Sequence, residues 1–156
     1  MNAMKDIQKN HSVGKKGEKD TWPFLENKGY IRPSKEQRKK ILEFFQKKEI
    51  TIEERGFDVI SLNEISLIGK RAITLYEVKT TGSRRGKFIG KDFLGFGFTL
   101  SEKEKNNAVK LKSKYKFIFV NLHKKIYKIY NLSDFLNKKK SNIYQTWSIF
   151  IIKGLK

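Results

Sequence analysis

Gly56-Phe57-Asp58-Val59-Ile60-Ser61 and, after a polar turn, Ile73-Thr74-Leu75-Tyr76-Glu77-Val78-Lys79-Thr80-Thr81 are the segments on which the reading of this chain turns. β-branched, aromatic and aliphatic residues fill both, and Asn63-Glu64 and Gly69-Lys70 punctuate the stretch between them, which is the signature of two strands. Side chains alternate faces along a strand, so Glu77 and Lys79 share one face while Tyr76 and Val78 share the other. The first face is read as chemical and the second as core. A carboxylate pair from neighbouring strands, with a lysine two residues beyond one of them, suits phosphodiester hydrolysis: carboxylate oxygens bind Mg²⁺, and an ammonium holds the attacking water or the phosphate.

Glu-x-Lys alone is a weak pattern, and the chain carries a second copy at Glu26-Asn27-Lys28. Context separates the two. Glu26 and Lys28 fall at the end of an expected helix beside Gly29, whereas Glu77 and Lys79 interrupt an apolar strand. Cross-strand ion pairing is the alternative account of the latter. Pairing alone leaves the acid on the preceding Gly-Phe-Asp-Val strand without a role.

The chain has 156 residues, with 35 Lys and Arg against 16 Asp and Glu, a formal charge of +19. Such an excess, spread along the whole length, points to a polyanionic partner, nucleic acid before an anionic membrane surface. No apolar run approaches the roughly 18 residues that span a bilayer, and Met1-Asn2-Ala3-Met4-Lys5-Asp6 lacks a signal-peptide core, so a soluble, cytoplasmic protein is expected. Zero cysteines exclude disulfides and thiolate chemistry. His11 and His123 are too few and too isolated for a histidine metal site, which leaves oxygen ligands for any metal.

The length suits one α/β domain covering 1–156, with 1–13 read as disordered, and a mixed central sheet flanked by helices. A first helix is expected over Lys15 to Asn27, stopped by Gly29, with Pro23 as a source of a kink or early end. Ser34 and Gln37 form a capping box for a second helix that buries Ile41, Leu42, Phe44 and Phe45. Gly95 to Leu100 reads as an alternating strand, and Ser101 with Glu104 as a capping box opening a helix to about Ser113 that carries Ala108, Val109 and Leu111. Tyr115 to Leu122 and Ile126 to Tyr130 form a hairpin around His123-Lys124-Lys125, Leu132 to Leu136 a short helix, and Ile143 to Ile152 a last strand with Trp147, Ile149 and Ile151 on one face.

These motifs in this order resemble the PD-(D/E)xK nuclease superfamily, and more narrowly the domain family named for the C-terminus of NO VEIN. The resemblance rests on Gly56-Phe57-Asp58-Val59-Ile60-Ser61, Tyr76-Glu77-Val78-Lys79-Thr80-Thr81, Phe98-Thr99-Leu100-Ser101-Glu102-Lys103-Glu104 and Tyr115 to Val120, and covers Gly14 to about Leu132. It implies a restriction-endonuclease-like core and Mg²⁺-dependent cutting of DNA, with Mn²⁺ as a substitute, in a restriction endonuclease or a nuclease subunit of a defence system. Asp58 and Glu77 are then metal ligands, the Val78 carbonyl a further ligand, and Lys79 the group positioning the nucleophile. Glu18 falls where many members of this fold carry an additional acidic ligand; a solvated residue beside Lys19 is the alternative. The basic segment from Gly82 to Lys91 departs from the family pattern, so substrate choice does not carry over.

That segment, Thr80-Thr81-Gly82-Ser83-Arg84-Arg85-Gly86-Lys87-Phe88-Ile89-Gly90-Lys91, has the chemistry of a DNA-contacting loop, with Arg84, Arg85, Lys87 and Lys91 as candidate phosphate or base contacts. A solvated hairpin loop is the alternative. Phe93, Phe96 and Phe98 could stack on bases, but their spacing favours packing, and the helix cap is the preferred account of Ser101, Glu102 and Glu104. Two other functions stay open: a structure-selective nuclease such as a Holliday-junction resolvase, and a non-catalytic nucleic-acid-binding module. Cutting both strands of a duplex invites a homodimer or a partner subunit.

Overall fold

A computed structural model describes residues 19–136, 141–143 and 148–153. Helix α1 runs over 19–26 and continues through Pro23. Gly29, at φ 83°, ends this segment as expected, with its N–H donated to the Glu26 carbonyl at 3.0 Å. The left-handed turn there needs a residue without Cβ. It delivers the chain into a short strand, β1 (Tyr30–Ile31), which the sequence does not announce. Helix α2 (Lys35–Lys47) starts at the expected Ser34–Gln37 capping box and buries Ile41 and Phe45, while Leu42 and Phe44 pack partly buried at its flank.

Strand β2 is shorter than its apolar run, only Val59–Ser61, and a 3-10 helix over Leu62–Leu67 replaces the expected polar turn. β3 (Leu75–Thr80) pairs antiparallel with β2 and parallel with β5 (Tyr115–Asn121), whose other edge carries β6 (Ile126–Tyr130) antiparallel. The order β1-β2-β3-β5-β6 makes a mixed five-stranded sheet within a mixed α/β architecture. β4 (Gly97–Thr99) does not join it. It pairs with β8 (Ser148–Ile151), itself paired with β7 (Ser141–Ile143), in a separate three-stranded sheet. The single final strand read from the sequence is thus two, and Trp147 lies outside the described residues.

The basic segment is also more ordered in form than a hairpin loop, because it contains one helical turn, α3 (Ser83–Gly86). Helix α4 (Glu102–Leu111) opens on the Ser101–Glu104 capping box and buries Ala108 and Leu111, but Val109 is 56 % exposed, contrary to the apolar stripe expected of it. α5 (Leu132–Phe135) follows β6, as expected.

Both faces of the sheet are covered. Tyr76 and Val78 lie with Leu25, Val59, Ile118 and Val120 beneath α1, whereas Leu75 lies in the larger core with Ile60, Phe117, Phe119, Phe98 and the buried residues of α2 and α4. The face carrying Glu77 and Lys79 is therefore also the face of the main core. That corrects the simple division into a chemical face and a core face, because the site sits at the rim of the larger apolar layer.

Candidate active site

Asp58 stands where the β2–β3 ladder gives way to side-chain bonding. The pairing Val59↔Tyr76 and Ile60↔Leu75, carried one residue further, sets Asp58 against Glu77. The Asp58 N–H still donates to the Tyr76 carbonyl at 2.8 Å, but the Val78 N–H donates at 2.9 Å to the Asp58 carboxylate Oδ2. Strand residues two apart send their N–H and C=O groups to the same side, so the Val78 carbonyl is directed toward the open edge beside Asp58. The Asp58 and Glu77 carboxyl groups are therefore close enough for each to shift the other's ionisation.

Lys79, one strand repeat beyond Glu77, places its Nζ 3.1 Å from Glu77 Oε1 and 2.8 Å from Glu104 Oε2. The three side chains are 15 %, 8 % and 14 % exposed respectively. Burial raises the Asp58 carboxyl above its ordinary value, opposed by the Val78 N–H, Glu77 and Lys79. Glu77 is pushed well above its ordinary value, first by burial and then by the neighbouring Asp58 charge, which Lys79 only partly offsets. Burial pulls the Lys79 ammonium down, but Glu77 and Glu104 more than compensate and leave it above the ordinary lysine value. A cation stays charged here while two carboxylates compete for one lysine.

Mg²⁺ takes one or two carboxylates, a carbonyl and waters, and Asp58, Glu77 and Val78 supply that kind of donor set. Among the described residues no group of three or more His, Cys, Asp or Glu side chains is placed to hold a metal ion, so a metal here would rest on two carboxylates, the Val78 carbonyl and waters. Glu18 falls outside the described residues, so its expected part as a third acid has no structural counterpart here.

No protein-family model, curated protein or solved structure matches this chain. Asp58, Glu77, Lys79 and Glu104 line one cleft of about 550 Å³, together with Arg55, Thr21, Thr80, Thr81 and Gly82. Trp22 of α1, Phe96 and Phe98 also line it. The Thr21 and Thr80 hydroxyls, 3.0 Å apart, tie α1 to the end of β3.

Supporting contacts fix the approach to Asp58. Arg38 of α2 donates from Nη1 to the Glu54 and Phe57 carbonyls at 2.9 and 3.0 Å and from Nη2 to the Asp58 carbonyl at 3.2 Å, with its guanidinium 4.5 Å over the Phe57 ring. Asn107, fully buried on α4, accepts the Glu53 N–H at 2.7 Å and donates to the Glu53 carbonyl at 2.9 Å. The buried Tyr115 hydroxyl donates to the Gly56 carbonyl, so Tyr115 belongs to the core and also braces this turn.

Asp58, Glu77, Val78 and Lys79, which the sequence pattern singles out, converge here. Arg84, Arg85, Lys87 and Lys91 lie exposed beyond the cleft on the segment that leaves it at Gly82. Glu104 was assigned only to its helix cap, and the cap is present: its Oε2 accepts the Ser101 N–H at 3.1 Å. The same oxygen also holds Lys79. The Ser-x-x-Glu spacing signals the first role; the second arises from packing across a separation of 25 residues. Arg38 and Arg55 carried no sequence signal in a chain so rich in cations.

Proposed function

We propose that this protein is a Mg²⁺-dependent endodeoxyribonuclease with a restriction-endonuclease-like PD-(D/E)xK core, acting in restriction or a related defence system. The observation that carries this reading is the convergence of Asp58, Glu77 and Lys79 at the end of the β2–β3 pair, in one cleft of a strongly basic chain. Two carboxylates desolvated side by side are costly in a structural ion pair and useful in a cation site. The mixed sheet, with β3 parallel to β5 and antiparallel to β2, supports the fold assignment.

Asp58, Glu77 and the Val78 carbonyl would hold Mg²⁺, which when bound supplies an activated water and offsets charge on the phosphate. The chain's own groups position the rest. Lys79 is held by Glu104 as well as by Glu77, which leaves its third proton to hold the attacking water or a non-bridging phosphate oxygen. Arg55 faces the cleft and can take a phosphate oxygen of the same strand. The Arg38 clasp and the Asn107 bracket keep the Asp58 carboxylate at its post, since a displacement of about 1 Å at such a site costs on the order of 100-fold in rate.

The test is incubation of wild type and Lys79→Ala with a panel of plasmid and phage DNA, with Mg²⁺ or with EDTA, followed by gel electrophoresis. Discrete fragments that need Mg²⁺ and vanish in the variant are expected. DNA retained on the protein but never cut, equally with EDTA and in the variant, would replace this reading with a binding module.

A further inference from the structure

The basic segment carries one side chain whose exposure its neighbours do not share. Phe88 is 87 % exposed, the most exposed large apolar residue among the described residues, whereas Ile89 and Phe93 beside it are 6 % and 0 % exposed. Its exposure does not come from a loose loop. The Phe88 and Ile89 N–H groups donate to the Arg85 carbonyl at 3.0 and 3.2 Å, and the Gly86 N–H donates to the Gly82 carbonyl at 2.8 Å. Asn121, fully buried at the end of β5, donates to both the Gly86 and the Ile89 carbonyls at 2.9 Å. A Cβ at Gly86 would lie 2.7 Å from Asn121 Oδ1 and 3.0 Å from the His123 Cβ, so glycine is needed for this close seating. The turn is thus bolted to the sheet on either side of Phe88, with Ile89 driven into the core and Phe88 turned out.

Resting on the nucleic-acid reading above, we infer that Phe88 is a base-stacking residue, which receives the face of an unpaired base in a strand whose phosphates are held by Arg84, Arg85, Lys87 and Lys91. An aromatic ring set among four exposed cations matches a polynucleotide, whose charge lies on the backbone and whose apolar surface lies on the base faces. Duplex DNA hides those faces within its stack, so the ring's partner is a base in single-stranded or locally opened DNA. Gly82 lines the cleft and Phe88 follows it by six residues, just past the turn of α3, so the base it receives belongs to the strand leaving the cleft along this segment. Phe93, Phe96 and Phe98, the aromatics that the sequence offered for stacking, are all buried and do not compete for this role.

The experiment is equilibrium binding in EDTA, by fluorescence anisotropy, of a labelled single-stranded oligonucleotide and its duplex to wild type, Phe88→Ala and Phe88→Trp. Phe88→Ala is expected to weaken single-strand binding roughly 5- to 150-fold, the range for losing one stacked base. The slope of affinity against salt should stay at the wild-type value, because no charge is removed. Phe88→Trp should retain the affinity, with indole emission quenched on binding beyond the change that Trp22 and Trp147 give in wild type. Equal single-strand affinity of wild type and Phe88→Ala, or a change of indole emission in Phe88→Trp no greater than that of wild type at saturating DNA, would overturn the inference while leaving the nuclease reading intact. A concentration-dependent dimer lost in Phe88→Ala with DNA affinity unchanged would also overturn it, in favour of a contact between copies. Failure of the wild type to bind either DNA is a separate result that removes the nucleic-acid reading and this inference together.

Discussion

Lys79 is shared between Glu77, two residues back on its own strand, and Glu104, on a different helix, and that geometry separates two tasks of one glutamate. Glu104→Gln keeps a residue that serves the capping box with Ser101 but removes the charge beside the lysine. A charge-assisted hydrogen bond of this kind is worth about 1.5–3 kcal/mol. The variant is expected to lose several degrees in melting temperature through the weakened bond to Lys79 and, with all of the protein still folded, about tenfold in kcat on DNA at Mg²⁺ saturation, as thermal melts and kinetics would show; an unchanged kcat would make Glu104 a structural partner only. Glu77 gives the opposite prediction for stability. Its folded-state pKa lies well above the ordinary value because it is buried beside Asp58, so the folded protein retains a proton that the unfolded chain releases. Stability without metal therefore falls as pH rises from the ordinary glutamate range toward the raised folded value. Glu77→Gln removes this dependence: in EDTA its melting temperature should exceed that of wild type by on the order of 5 °C at about pH 8 and by little at about pH 5. A wild-type melting temperature that rises over this interval would contradict the argument.

At the scale of elements, the approach to Asp58 is set by backbone packing as much as by strand pairing. A Cβ at Gly56 would fall 2.4 Å from Asn107 Nδ2 and 2.9 Å from the Lys103 carbonyl oxygen, so the glycine lets α4 press directly on the turn before β2. Gly56→Ala should lower stability by about 1–3 kcal/mol through overpacking and reduce activity by displacing Asp58. Gly82→Ala is the contrast: its φ of −63° suits alanine and nothing lies within 4 Å of the added carbon, so its stability should stay within about 0.5 kcal/mol of wild type. Denaturant unfolding of both variants checks the pair. The same contrast explains what was legible in the sequence. Alternation in Leu75 to Thr80 and the two Ser-x-x-Gln/Glu caps are local signals, and they located β3, α2 and α4. The two-residue β1, the separation of β4 into a second sheet, and the Arg38 clasp depend on partners far away in the chain. Arg38 looked like one more cation on a basic helix, yet 19 residues separate it from the Phe57 carbonyl it holds.

Taken as a whole molecule, the chain sets a buried acidic site within a body of formal charge +19, and under the proposed nuclease function these two features would divide the work of binding from the work of cutting. The carboxylates of Asp58 and Glu77 repel a phosphate backbone unless something offsets them, so approach of DNA must be driven by cations outside the cleft. Arg84, Arg85, Lys87 and Lys91 are exposed and follow directly on the strand that bears Glu77 and Lys79, so under the proposed function their field would act beside the strand being cut. Each phosphate neutralised on B-DNA contributes about 0.9 to the slope of log affinity against log salt. Replacing all four by glutamine should therefore flatten that slope by up to about 3.6 and weaken duplex binding most at low salt. Cleavage at saturating DNA should survive, because none of the four lines the cleft. Anisotropy titrations over a range of salt, followed by single-turnover cleavage with excess protein, separate the two effects. A variant with the wild-type slope would show that the DNA is held by another face of this basic surface, while a variant that binds normally but no longer cuts would place one of these cations in the chemistry itself.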